Sequence, residues 1–104
     1  MAFTHICPMA FTHIVTFVFR PGSEAPATAS AALTEFAATV PQVREYRCAP
    51  DAGISEGNAD MALVARFDSE DDFAIYRDHP EHQRIIAELI APDLVERTAV
   101  QLRA

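Results

Sequence analysis

The sequence predicts an α+β fold in which one four-stranded sheet carries helices on a single face, strung in the order βαββαβ. Three observations predict it. Apolar residues recur every second position in some stretches and every third or fourth in others, and the two periods alternate along the chain. Proline and glycine stand where the period changes. A length of 104 residues, half of them apolar, allows one domain with one modest core.

Residues 11–19 form the first strand. Phe11, His13, Val15, Phe17 and Phe19 share one face, and Thr12, Ile14, Thr16 and Val18 the other, so both faces are at least partly covered. Arg20-Pro21-Gly22-Ser23 closes it with turn chemistry. From about Glu24 a helix follows, with Ala29, Ala32, Leu33, Phe36, Ala37 and Val40 as its buried stripe and Pro41 as its end. Val43–Ala49 is a second strand with Tyr46 and Cys48 on one face, and Pro50–Asn58 is a mobile loop. Asp60–Asp68 is the third strand. Ser69 followed by Glu70, Asp71 and Asp72 starts a helix that buries Phe73 and Tyr76. His79-Pro80 interrupts it, and Pro80 opens a new helical segment with Ile85, Ile86, Leu89 and Ile90 as its stripe. Ala91-Pro92 ends that segment, and Leu94–Leu102 forms the last strand.

This is the ferredoxin-like plan. With both helices on one face, the other is left bare. Ile14, Val18, Tyr46, Cys48 and Val64 are expected there, as an apolar surface of roughly several hundred Å2, which monomers seldom leave wet. A homodimer formed by stacking two open sheet faces, closing a dimeric α/β barrel, is the expected assembly.

A formal net charge of −7 argues against nucleic acid or an anionic membrane as partner. Cys7 and Cys48 make neither a disulfide framework nor a zinc site. No apolar run is long enough to span a bilayer, and no basic segment precedes an apolar one as in a signal peptide, so a cytoplasmic location is expected. Met1–Ile6 reads MAFTHI and so does Met9–Ile14, but Cys7-Pro8 follows the first copy and breaks it as a strand. Residues 1–8 are therefore expected to be an extension, and 9–104 the domain.

The stretch Asp60–Ser69, followed by Tyr76-Arg77-Asp78-His79-Pro80-Glu81-His82-Gln83, resembles the stress-responsive dimeric A/B barrel (Dabb) family, as does the opening His13–Pro21. The resemblance covers residues 9–102 and implies a protomer that pairs into a dimeric barrel. Some members of that family resemble stress proteins without known chemistry. Others are polyketide cyclases, in which the histidine matching His82 is the catalytic base and the tyrosine matching Tyr76 helps orient the substrate.

That chemistry suits the residues. An imidazole removes a proton alpha to a carbonyl near neutral pH, and a phenol donates to the oxyanion that develops. The candidate catalytic set is His82, Tyr76 and His13, with Phe36, Met61, His79 and Ile86 expected to contact a small hydrophobic or phenolic ligand. No cofactor or metal is implied. Met61 stands where the cyclases place a further histidine, which weakens the transfer of their substrate to this chain.

Bland alternatives stand beside these roles: His13 as a satisfied core imidazole, His79 as a turn residue, Phe36 as plain core. His79 and His82 are three apart with Asp78 adjacent, but the proline break gives them no guaranteed common direction and no third ligand stands at a fixed spacing, so a metal site is not expected. Three functions are thus in play: a ligand-binding, cyclase-like enzyme; a non-catalytic stress-response dimer; and, by fold analogy, a cofactor-independent monooxygenase or isomerase. A pocket shared by His82 and Tyr76 favours the first, and close packing around their rings favours the second.

Overall fold

The computed structural model describes residues 10–103; the expectations for residues 1–8, His5 and Cys7 among them, lie outside the described residues. The chain runs β1 (Phe11–Phe19), α1 (Ala25–Ala37), β2 (Val43–Pro50), β3 (Met61–Phe67), α2 (Glu70–Asp78), α3 (Pro80–Ile85) and β4 (Leu94–Arg103). The strands form one sheet in the order β2-β3-β1-β4 with every pairing antiparallel, as the ferredoxin-like plan requires.

Strand alternation sets the core. On β1, Phe11, His13, Val15, Phe17 and Phe19 are buried, while the intervening residues are half-buried. Met61, Leu63, Ala65 and Phe67 of β3 lie on the same side, all buried. The helices bring Leu33, Phe36, Phe73, Tyr76, Ile85 and Ile90 down onto that surface. The opposite face carries Ile14, Val64 and Val100 in one cross-strand row, with Val64 40% and Val100 50% exposed.

Tyr46 and Cys48 are not on that bare face. They pair with Ala65 and Leu63 and pack against the core beneath the helices. The register slips by one residue between Val43 and Glu45, so Val43 and Tyr46, three apart, face the same way. A strict two-residue alternation misses such a bulge.

Two helix ends also differ from the sequence pattern. α1 stops at Ala37, and Val40 is buried from the turn beyond it, where its N–H donates to the Ala37 carbonyl. α3 passes into a π turn over Ile86–Ile90 and a 3-10 turn over Ala91–Asp93. The wider turn makes Ile85 and Ile90, five apart, the buried pair and leaves Ile86 and Leu89 half-buried. Past Leu94, β4 is exposed throughout, so its helix-side surface overhangs the layer above.

α2 begins as its sequence suggests. The Ser69 hydroxyl accepts the Asp72 N–H at 3.1 Å, and Glu70, Asp71 and Asp72 meet the positive end of the helix. Ser69→Ala should cost about 1 kcal/mol in urea unfolding. A loss under ~0.3 kcal/mol would show that the cap contributes little.

Candidate functional site

The site begins with a break in a helix. Tyr76 would pass its carbonyl to the N–H four residues on, but that residue is Pro80, which has none. The Tyr76 carbonyl instead accepts from His79 N–H. Glu81 N–H, due to Arg77, donates to His79 Nδ1 at 3.0 Å, which caps α3. The Arg77 carbonyl is thereby left for side chains. His82 Nδ1 donates to it at 2.9 Å and Gln83 Nε2 at 2.7 Å.

A carbonyl only accepts, so this bond places a proton on Nδ1 of His82. In the neutral ring Nε2 then carries the lone pair, the form a general base requires. The ring is 9% exposed and lies 4.5 Å from Tyr76 and 6.1 Å from Phe36, centroid to centroid. Burial holds its pKa below 6.5 against the opposing pull of the Arg77 carbonyl, and the charge of Arg97 acts in the same direction as burial.

Beneath the helices, the register lines up Tyr46, Ala65, His13 and Gln101 as one row across the four strands. Tyr46 and Tyr76 hydroxyls are 2.7 Å apart. Gln101 Nε2 donates to His13 Nδ1 at 2.9 Å, which leaves the proton of the neutral ring on Nε2. Phe73 packs against His13 with the rings tilted at 47° and their centroids 4.8 Å apart. Burial, then the charges of Arg97 and His82, lowers the His13 pKa to about 4. Burial raises both phenols well above their ordinary range, so both stay protonated at neutral pH.

The structure thus brings His82, Tyr76, Phe36 and His79 into one aromatic cluster, with Phe36 edge-on to His79 at 4.9 Å. His13 joins it through Phe73, which packs on Tyr76. Ile86 is half-buried on the following turn. Met61 lies apart: it pairs with Phe17, four residues along β3 from Ala65 and so about 13 Å down the sheet. Tyr46, which sequence patterning put on the wrong face, is the residue that bonds to Tyr76. The single bulge between Val43 and Glu45 that turns it inward leaves no periodic signal in the sequence.

The Tyr76 ring is 1% exposed, enclosed by Phe36, Tyr46, Phe67, Phe73 and His82. Two clefts reach the ends of the cross-strand row instead. One, of about 400 Å3, is lined by Tyr46 with Ala37, Val40 and Val43. The other, of about 350 Å3, is lined by Gln101 with Phe11, Phe73 and Arg77.

The lowered histidines make stability depend on pH. The unfolded chain protonates His13 near pH 6.5 and the folded chain only near 4, so this contribution is full above 6.5 and is lost as the pH falls through that window. His13→Gln should therefore lose less stability than the parent between pH 7 and 4.5, by on the order of 1 kcal/mol in urea titrations. Equal losses would mean that His13 is not held neutral.

The stress responsive A/B barrel domain model matches residues 11–102. No curated protein matches the sequence. Among solved structures, a dimeric ferredoxin-like protein of unknown function from Thermobifida fusca is 36% identical, with a TM-score of 0.82 over 92% of each chain. A hydroxynitrile lyase from Passiflora edulis is 17% identical, with a TM-score of 0.76 over 93% of this chain and 94% of its own. SnoaB, a cofactor-independent oxygenase from Streptomyces nogalater, is 15% identical, with a TM-score of 0.72 over 91% of this chain and 92% of its own. These last two share the fold. With the family model matching residues 11–102, nearly its whole length, the chain belongs to the stress-responsive A/B barrel family.

Proposed function

We propose that the protein is a homodimer that binds a small, partly aromatic molecule and moves a proton on it without a cofactor, with His82 as the acid/base. The observation that carries this is the bond from His82 Nδ1 to the Arg77 carbonyl. It orients a mostly buried imidazole and leaves Nε2 unprotonated at neutral pH, ready to take a proton from a carbon alpha to a carbonyl. The hydroxyl pair Tyr46–Tyr76 supplies a phenol for the oxyanion: whichever hydroxyl accepts within the pair keeps its own proton to donate. Ring closure of a poly-β-ketone of the cyclase kind fits these groups, and so does any reaction that passes through an enolate.

One observation favours a second reading, a non-catalytic stress-response dimer. The Tyr76 ring is enclosed, and the two clefts meet the row at Tyr46 and Gln101 rather than at His82. On that reading the same bonds serve only to hold the helix break.

For assembly, the row Val64–Ile14–Val100 supports stacking of two open faces, and the relative from Thermobifida fusca is dimeric. A stable interface buries roughly 1,200–2,000 Å2, which a four-stranded sheet face can supply.

His82→Ala should abolish turnover, or weaken ligand binding in a thermal-shift screen of phenolic and polyketide-like compounds, while the dimer persists. Loss of folding instead would favour the second reading. Val64→Asp places a charge in the stacked face and should dissociate or unfold the dimer; an unchanged sedimentation profile would contradict the proposed interface.

A further inference from the structure

All eight basic residues of the chain are arginines, and six of them, Arg20, Arg44, Arg66, Arg77, Arg84 and Arg103, form ion pairs with carboxylates. Among the described residues, Arg47 and Arg97 have no such pair. Arg47 pairs across the ladder with Val64 and so belongs to the bare face. Arg97 pairs with Phe17 and so belongs to the helix side, on the same side of β4 as Ala99 and Gln101. This surface of β4 is exposed, and Ala99 sets nothing larger than a methyl between Arg97 and Gln101. Glu96, its acidic neighbour, pairs with Val18 and faces the other way. Asp93, the next carboxylate before it, is already bonded to Arg20 and Ser23.

We infer that Arg97 is an anion-recognising residue of the same site, and that the ligand carries a carboxylate. This rests on the proposed small-molecule site. An arginine with no carboxylate partner among the described residues, on an exposed strand surface that also presents the glutamine bonded to His13, offers planar two-pronged recognition of a carboxylate. Its charge is felt at both imidazoles, which places it within electrostatic reach of the proposed base. A carboxylate bound there answers that charge and orients the rest of the molecule toward the histidines. The chain's net charge of −7 repels anions at long range. Salt screens that repulsion beyond ~10 Å, whereas a direct pair at Arg97 persists.

The test is calorimetric titration of the full chain with 4-hydroxybenzoate and with 4-hydroxybenzamide, which differ in the carboxylate. The acid should bind roughly tenfold more tightly than the amide. Arg97→Gln should erase that preference, and Arg47→Gln, on the opposite face, should retain it. Equal affinities in the parent, or a preference that survives Arg97→Gln, overturns the role of Arg97; if His82→Ala still removes the binding, the small-molecule site stands without it. Failure of both compounds to bind overturns the anion site and counts against the small-molecule site as well.

Discussion

The arrangement depends on the carbonyl of Arg77. Pro80 denies Tyr76 its helical partner, and His79 captures the Glu81 N–H that Arg77 would have received. A carbonyl freed from its helical donor accepts the side-chain donors beside it, a net gain of about 0.5–1.5 kcal/mol per bond. His82 and Gln83 both answer it. The same bond that repairs the helix break therefore orients an imidazole and selects its tautomer. Structure and chemistry have one cause here, which is why a purely structural role and an acid/base role predict the same contacts.

The second constraint is a polar row inside an aromatic core. His13 and Tyr46 stand on the sheet between Phe67, Phe73 and Tyr76, and each has one polar partner, Gln101 and Tyr76 respectively. Among the described residues no buried side-chain nitrogen or oxygen lacks a partner. Such a row contributes little net stability compared with an apolar one, since each hydrogen bond mainly offsets the loss of water. Its value lies in what it holds: the neutral His13 imidazole and the protonated Tyr46 phenol in fixed register on the sheet, with clefts at either end.

Much of this was legible in the sequence because period and punctuation agree. β1 and β3 alternate without interruption, Ser69 caps α2 as its acids suggest, and His79-Pro80 marks the break. The family motif lies on these same elements. What stayed hidden followed from single-residue irregularities. The bulge at Arg44 reversed the faces of Tyr46 and Cys48, and the π turn after Ile85 shifted the buried pair to Ile85 and Ile90. Neither leaves a periodic signal, because each occurs once. The partnership of Tyr46 with Tyr76 was out of reach for the same reason, while His13 on the helix side followed directly from alternation. The pairing of Arg77 O with His82 is a consequence of the break that spacing alone does not reveal.

The most direct measurement is nitrogen-resolved NMR of the His82 ring across a pH titration. A proton held on Nδ1, a bare Nε2 at neutral pH and a pKa below 6.5 are the result expected from the Arg77 bond and from burial. A proton on Nε2 at neutral pH, or a pKa at or above 6.5, would contradict the account at its root.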